Sequence, residues 1–319
     1  MIQKYIKSFD GTRIGYQVAG TGKRAFVLCN GLGGSLIAWS PIYKRFGKDF
    51  KFITWDYRGV FTSDAPENKA TLAIPYNVKD LEIILKKEGV TKGLVGGWSM
   101  GVQVALEFYR HRPRFFKGLF LINGTCGYPL RTAFNSPLTR YLVPVVNSVL
   151  KRVLPRVQSR LAPVAHKVIS TEEFIKLIIR LGMIHRNFNT KIFRQIAADI
   201  INTDLGMYHE VLDHLCVHDA TDVMPTIRVP SLLVAGTRDI MTPAHAMEKM
   251  ANCIPGAEFL AISEGSHYSL LEFPDLINER LELFLKEHGF IKAKIRQQKK
   301  IVKRAMAKKK PQQERRVKI

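Results

Sequence analysis

The sequence predicts an α/β protein with a mostly parallel sheet that is covered by helices on both faces. Short apolar runs alternate with longer stretches whose apolar residues recur at helical spacing, and this alternation is typical of strand–helix–strand units. The chain has 319 residues, of which 46% are hydrophobic, so it can bury a large core. A sharp glycine-containing turn at residues 97–101 joins one apolar run to a helical pattern. These three observations fix the predicted class.

The apolar runs predict eight strands, of which the first two form a hairpin: 2–8, 12–18, 25–29, 51–55, 93–97, 117–122, 230–235 and 258–262. The intervening helical patterns lie near 36–47, 76–88, 100–112, 243–252 and 273–288. Residues 126–222 interrupt this rhythm with five further helical patterns, near 137–152, 156–169, 171–183, 188–202 and 207–215. Proline lacks an N–H group, so we expect Pro155 to separate the first two of them. The sequence therefore predicts a core (1–125 and 223–290), a helical insertion (126–222) and a tail (291–319).

The turn at residues 97–101 reads Gly-Trp-Ser-Met-Gly and has the G-x-S-x-G pattern of a nucleophile elbow. In such a turn the serine, here Ser99, adopts a strained backbone conformation that exposes its hydroxyl above the sheet. The glycines leave room for the neighbouring strand and helix. The pattern also occurs by chance, so its position between a strand and a helix carries the prediction.

Two later residues complete a possible nucleophilic triad. Asp239 follows the strand at 230–235, and His267 lies in the loop after the strand at 258–262. The carboxyl ends of parallel strands meet at one edge of a sheet, so both residues are expected near Ser99. In a triad the histidine takes the serine proton and the aspartate orients the histidine. Taken singly, a surface serine, a capping aspartate and a loop histidine are ordinary; their joint placement favours a triad.

The residues after the third strand, Asn-Gly-Leu-Gly-Gly at 30–34, predict an oxyanion hole. Glycines let backbone N–H groups turn towards the nucleophile, and the expected donors are the N–H groups of Leu32 and Met100. A phosphate-binding loop is the alternative. It is disfavoured because the segment lacks both G-x-G-x-x-G with a following acidic residue and a Lys-Ser/Thr ending. The sequence predicts no metal site and no cofactor.

Together with Asp56-Tyr57-Arg58-Gly59, these motifs resemble those of the α/β-hydrolase superfamily, in the branch of small bacterial esterases and lactonases. The resemblance implies the α/β-hydrolase fold, with a helical cap inserted over the active site at 126–222. It also implies the triad roles of Ser99, Asp239 and His267. Family members often have glycine where this chain has Phe61, and we expect Phe61 to add an apolar wall to the pocket. Trp98, beside the nucleophile, is a second expected substrate contact.

Charge is distributed unevenly along the chain. The net charge is +22, of which +10 lies in residues 131–194 and +12 in residues 292–319. In the insertion, Arg152, Arg156 and Arg160 recur every fourth residue and share one helical face. Such a face suits an anionic membrane surface, an acidic carrier protein or an anionic substrate, and a simply solvated face is the alternative.

The basic tail at 292–319 has the composition of a segment attracted to anionic lipid. It would also bind nucleic acid without specificity, but it has no aromatic residues to stack on bases, so a nucleic-acid partner is not favoured. The chain begins with a strand pattern rather than an apolar signal segment, and its four cysteines are scattered. We therefore expect a cytoplasmic protein, peripheral at most to the inner face of a membrane.

The sequence thus favours a serine hydrolase that cleaves a carboxylic ester with an apolar acyl group through an acyl-enzyme. An acyltransferase, a perhydrolase or a carbon–carbon hydrolase with the same triad is one alternative. A non-enzymatic binding protein that uses the basic segments is another. Enzymes with an aspartate nucleophile, among them epoxide hydrolases, are disfavoured because the elbow holds serine. The sequence leaves the oligomeric state open.

Overall fold

The structure is a computed structural model that describes residues 1–136 and 138–292. It contains eight strands, Ile2–Lys7 (β1), Arg13–Ala19 (β2), Arg24–Cys29 (β3), Phe50–Trp55 (β4), Gly93–Trp98 (β5), Phe116–Ile122 (β6), Ser231–Gly236 (β7) and Glu258–Ile262 (β8). All eight lie within one or two residues of the predicted ranges. The whole sheet lies in one compact unit, Met1–Asn278. The predicted tail at 291–319 lies outside the described residues from position 293 onwards.

The described residues form ten α-helices, Ser40–Phe46 (α1), Ile74–Lys87 (α2), Met100–His111 (α3), Thr139–Ile169 (α4), Glu172–Arg180 (α5), Thr190–Asn202 (α6), Leu205–Val217 (α7), Ala244–Cys253 (α8), Ser269–Glu272 (α9) and Pro274–Glu287 (α10). Short 3-10 helices lie at Leu36–Trp39, Lys69–Leu72, Pro113–Phe115, Pro129–Arg131, Ala133–Asn135 and Thr221–Thr226. The helical pattern at 36–47 is thus a 3-10 turn followed by α1, which has a proline in its first turn. Along the described part of the chain, no helix is both long and apolar enough for a bilayer crossing.

The eight strands form one sheet in the order β1-β2-β4-β3-β5-β6-β7-β8. The β1–β2 and β2–β4 pairs are antiparallel, and the other pairs are parallel. Because β3 and β5 to β8 run in the same direction, their carboxyl ends meet at one edge. The predicted fold class, a mostly parallel sheet with helices, is confirmed.

Both faces of the sheet are buried, which explains why its central strands are apolar without alternation. On one face, side chains such as Val27, Val95 and Leu121 pack in one apolar cluster with residues of α2, α3 and α8. On the other face, Phe26 stacks on Phe52 with 5.5 Å between ring centroids, and both rings are fully buried.

The insertion differs from its prediction at Pro155. Residues 139–169 form one helix, α4, which contains three prolines, so the expected break is wrong. Both halves of α4 are held by the same neighbouring elements. Asn147, before the proline, donates to the carbonyl oxygen of His209 at 3.0 Å, and Gln158, after it, donates to that of Thr203 at 2.7 Å. These bonds and the packing on α6 and α7 offset the missing backbone hydrogen bond.

Glu88, at the end of α2, connects three strands of the sheet. Its carboxylate accepts hydrogen bonds from Lys4 and from the hydroxyl of Tyr16, both at 2.8 Å, and pairs with Lys51 at 2.7 Å. Burial acts to raise the pKa of Glu88, but these three partners outweigh it and lower the pKa from 4.5 to about 2. The ionised carboxylate therefore stabilises the fold.

We expect Glu88→Gln to lower the free energy of unfolding by about 2 kcal/mol at pH 7. The folded-state pKa lies below the ordinary value, so this contribution is present above about pH 4.5 and is lost as the pH falls towards 2. Urea unfolding at several pH values measures the difference, with exposed Glu67→Gln as the control. A difference between wild type and Glu88→Gln that stays constant from pH 7 to pH 3 would contradict the assignment.

Candidate active site

Ser99 occupies the sharp turn between β5 and α3. Its backbone has φ 56° and ψ −121°, a conformation that is strained for a residue other than glycine. The turn is possible because its glycines have no side chains. A Cβ atom at Gly97 would lie 2.5 Å from the carbonyl oxygen of Gly101, and one at Gly101 would lie 2.0 Å from that of Cys29. The backbone geometry is therefore that of the nucleophile elbow.

The structure brings the three predicted triad residues together. His267 Nε2 lies 2.8 Å from the Oγ of Ser99, and His267 Nδ1 lies 2.8 Å from the Oδ2 of Asp239. Asp239 and His267 are buried, whereas Ser99 is partly exposed. Both distances are within hydrogen-bonding range, so the imidazole can exchange a proton with the serine while the carboxylate holds its other nitrogen.

Asp239 is buried but fully supplied with hydrogen-bond donors. Its Oδ1 accepts from the backbone N–H groups of Met241 and Thr242 at 2.9 and 2.8 Å, and its Oδ2 accepts from the hydroxyl of Thr242 at 2.7 Å. Burial acts to raise the pKa of this carboxyl, but the charge of His267 and the hydrogen bonds together lower it below its ordinary value. Asp239 is therefore ionised at neutral pH, as a partner for a histidine cation must be.

Asn123 belongs to this site and was not identified from the sequence. It follows β6, and its side-chain N–H group donates to the Oδ2 of Asp239 at 2.8 Å and to the carbonyl oxygen of Ser266 at 3.0 Å. Its side-chain oxygen accepts from the hydroxyl of Ser269 at 2.5 Å. Its φ of 46° lies in the left-handed region, which asparagine tolerates better than most residues. The available signal was an asparagine–glycine pair at the carboxyl end of a central strand.

Glu272 is a second residue that sequence reasoning missed. This buried carboxylate accepts hydrogen bonds from the backbone N–H and the hydroxyl of Ser266 at 2.8 and 2.5 Å. It also accepts from the backbone N–H of His185 in the insertion at 2.7 Å. Glu272 therefore fixes the loop that precedes His267 and connects it to the insertion. No motif marks it, because its role depends on two distant backbone segments.

The glycine-rich loop after β3 lies beside Ser99, as the sequence predicted. A Cβ atom at Gly31 would lie 3.1 Å from the Cβ of Ser99, a tight contact that glycine avoids. Within the described residues, no backbone carbonyl is bonded to the N–H of Leu32 or to that of Met100. Both groups remain available for a ligand, and their role as oxyanion donors stays a prediction.

The two expected substrate contacts have different environments. Trp98 is buried, and its indole N–H donates to the carbonyl oxygen of His267 at 3.0 Å. This hydrogen bond helps to hold the loop that contains His267. The contact of Trp98 with substrate stays a prediction. Phe61 is partly buried against the core and has a φ of 51°. This left-handed conformation is one that glycine adopts without strain and phenylalanine rarely adopts.

Side chains of the insertion reach the glycine-rich loop. A Cβ atom at Gly33 would lie 3.0 Å from Ile200 of α6 and 3.1 Å from the ring of Tyr208 of α7. Phe188 packs edge-to-face on Tyr268, the residue after the triad histidine, with 5.5 Å between centroids. Apolar and aromatic groups of residues 126–222 therefore contact both the glycine-rich loop and the loop that holds His267.

A separate cavity does not belong to this site, and the described residues contain no candidate metal site. A cavity of about 1050 Å³ is lined by residues of α2 and α3, among them Lys86 and His111, and by none of the triad. Over the part of the chain that the structure describes, no three histidine, cysteine, aspartate or glutamate side chains are placed to hold a metal ion.

A family model described as the alpha/beta hydrolase fold matches residues 24–274. This chain belongs to the α/β-hydrolase fold family. Epoxide hydrolase 4 of Mus musculus is 23% identical to it over 295 residues, which cover 89% of this chain and 79% of the mouse protein.

Solved structures of the family align along most of the chain. The esterase of Exiguobacterium antarcticum aligns with a TM-score of 0.70 and 20% identity, covering 89% of this chain and all of that one. The enol-lactonase of Burkholderia xenovorans aligns with a TM-score of 0.69 and 21% identity, covering 88% and 99%. At such identities the likeness establishes the fold. The comparisons support a hydrolase of the α/β-hydrolase type and leave its substrate open.

We expect Asn123→Gly and Asn123→Ala each to lower kcat/KM by about 10- to 100-fold, because both remove a hydrogen bond to a buried carboxylate. The two variants separate this effect from backbone strain. Alanine must adopt the left-handed conformation, so Asn123→Ala should be less stable than Asn123→Gly by about 1 kcal/mol. Ester hydrolysis and thermal unfolding measure the two quantities. Wild-type kcat/KM in both variants would show that Asn123 does not support the triad.

Proposed function

We propose that this protein is a serine hydrolase that cleaves a carboxylic ester through an acyl-enzyme on Ser99. The observation that carries the proposal is the continuous chain of contacts from Ser99 Oγ through His267 to Asp239, with both distances at 2.8 Å. A serine hydroxyl is a weak nucleophile until a neighbouring base removes its proton. His267 is the proposed base, and the ionised carboxylate of Asp239 stabilises His267 once it is protonated.

The reaction proceeds in two halves. Ser99 Oγ attacks the ester carbonyl carbon while His267 Nε2 accepts the serine proton, and the carbonyl oxygen becomes an oxyanion. The intermediate collapses as the bond to the alcohol oxygen breaks and His267 returns the proton to the leaving alcohol. Water then attacks the acyl-enzyme, with His267 again taking and returning a proton, and the carboxylic acid is released.

The backbone N–H groups of Leu32 and Met100 are the proposed donors to the oxyanion. Leu32 lies in the glycine-rich loop and Met100 is the first residue of α3, and donors already in place before the reaction are the most effective for an oxyanion. Ile200 and Tyr208 lie against the same loop and favour an apolar acyl group next to the reacting carbon. The aligned structures include an esterase and an enol-lactonase, which supports acyl chemistry.

Ser99→Ala should lower kcat for ester hydrolysis by about a million-fold, because it removes the nucleophile of a triad that works as a unit. A chromogenic ester measures turnover, and a fluorophosphonate probe followed by mass spectrometry locates the labelled residue. The matched control is Ser170→Ala, which alters an exposed serine of the insertion. Near wild-type hydrolysis by Ser99→Ala would refute the proposed nucleophile. Folded wild type that the probe fails to label would favour a binding protein.

Ile200→Trp should shift the preferred acyl chain of the ester to a shorter one, because the larger side chain lies beside the oxyanion loop. For long acyl chains we expect kcat/KM to fall by about 10-fold, while acetyl esters are affected little. A series of chromogenic esters from acetyl to long acyl measures this selectivity. Leu177→Trp, on the exposed face of α5, is the matched control. An equal decrease in kcat/KM at every chain length would show that the acyl group does not bind beside Ile200.

A further inference from the structure

Exposed apolar side chains are concentrated on α4 and on Leu138, the residue before it. Isolated exposed apolar residues are common, but a concentration of them on one helix marks an interaction surface. Each is between 43% and 65% exposed: Leu138, Tyr141, Leu142, Val145, Val146, Val149 and Val153 up to the middle of the helix, and Leu161, Val164 and Val168 after it.

Apolar and basic residues follow one another along the outer face of α4. At 100° per residue, Leu142, Val145 and Val149 form one line on the helix surface, and Arg152 and Arg156 continue it. Up to Val149 this line of the helix surface is therefore apolar. From Arg152 onwards it is basic, and valines lie on either side of the arginines. This is the pattern of a helix that lies in a membrane interface.

The basic residues of the face lack intramolecular neutralisation. The α4 sequence contains no aspartate or glutamate. Among the described residues, no carboxylate forms an ion pair with Arg152, Arg156 or Arg160. The surface therefore presents unneutralised positive charge beside apolar area, which is complementary to lipid with anionic headgroups.

Two arginine–tyrosine pairs lie near the amino-terminal end of α4, before most of its exposed apolar residues. The guanidinium of Arg140 is 4.6 Å from the ring centre of Tyr141, and that of Arg131 is 4.0 Å from the ring centre of Tyr128. Side chains with an apolar body and a polar end suit the boundary between acyl chains and headgroups. The apolar segment is thus bordered by arginines at both ends.

The opposite face of α4 leads towards the candidate active site. Gln158 donates to the carbonyl oxygens of Ile201 and Thr203 at the end of α6, at 3.0 and 2.7 Å. The neighbouring Ile200 lies against Gly33 of the glycine-rich loop. One layer of helix therefore separates the exposed surface from the loop that holds the proposed oxyanion donors.

We propose that the outer face of α4, residues 138–160, docks on an anionic lipid membrane. Leu142, Val145 and Val149 enter the acyl-chain region, and the three arginines contact headgroup phosphates. A second copy of α4 would bring no carboxylate to neutralise these arginines, and the basic segment at 293–319 carries the same sign of charge. Docking goes beyond the proposed hydrolysis and does not depend on it.

The test measures binding of the full-length chain to vesicles of phosphatidylcholine with and without phosphatidylserine. Every binding sample carries Ser99→Ala, so that lipid hydrolysis cannot alter the vesicles. Cosedimentation at low and at physiological salt gives the partition coefficient. We expect binding to vesicles that contain phosphatidylserine and a decrease at higher salt.

Two variants test the face itself. Replacing Arg152, Arg156 and Arg160 by glutamine should weaken binding on the order of 100-fold. Replacing Leu142, Val145 and Val149 by serine leaves the charge unchanged and should weaken it by at least about 10-fold. The matched controls, expected to bind as wild type, are glutamine at Lys92, Arg114 and Lys117 for the charge and serine at Ile2 and Leu276 for the apolar area.

The same substitutions with Ser99 intact should leave hydrolysis of a short water-soluble ester unchanged, so a failure of the chemistry and a failure of docking are distinguishable. If both α4 variants bind vesicles as tightly as wild type, the proposal is overturned. The lipid affinity would then belong to other basic segments. Absence of vesicle binding would also overturn it and favour an acidic protein partner. A dimer in wild type that the serine variant dissociates would identify a second copy as the occupant instead.

Discussion

The arrangement of the candidate site depends on one buried carboxylate. Asp239 has almost no contact with solvent, and a buried charge of this kind is tolerated only when it is fully hydrogen-bonded. Its donors come from three different strand ends: Asn123 after β6, Met241 and Thr242 after β7, and His267 after β8. Satisfying this carboxylate therefore fixes the relative positions of three loops and leaves the second nitrogen of His267 facing Ser99.

The triad could be predicted from the sequence because parallel strands impose a simple rule. Their carboxyl ends share an edge, so residues just after apolar runs become neighbours although they are far apart in the chain. Asn123 and Glu272 could not be predicted in this way. Asn123 also follows a strand, but an asparagine before a glycine is typical of any turn, and Glu272 lies in a short helix. Their roles are defined by hydrogen bonds to distant loops, which no sequence motif records.

Predictions from local residue preferences were wrong where tertiary contacts outweighed those preferences. Pro155 lacks the N–H group that an unbroken helix requires, yet α4 continues through it because the helix is anchored on both sides of the proline. Gly206, at the start of α7, leaves room for the proline ring, since a Cβ atom there would lie 2.7 Å from it. Phe61 is a second case, in which partial burial of the ring against the core accompanies a left-handed backbone. Both positions are set by packing between elements, which single-sequence patterns do not contain.

The insertion presents different chemistry on its two sides, and this difference constrains its role. Its inner side places Ile200 and Tyr208 against the glycine-rich loop, an arrangement that building a pocket wall would explain. The solvent-exposed part of the valines and leucines on the outer side of α4 contributes nothing to folding, because it buries no apolar area in the isolated protein. Helix formation does not require the valines either, since β-branched residues have lower helix propensity than alanine or lysine. The proposed membrane docking would account for this exposed apolar surface, and the arginines on the same face are complementary to anionic headgroups.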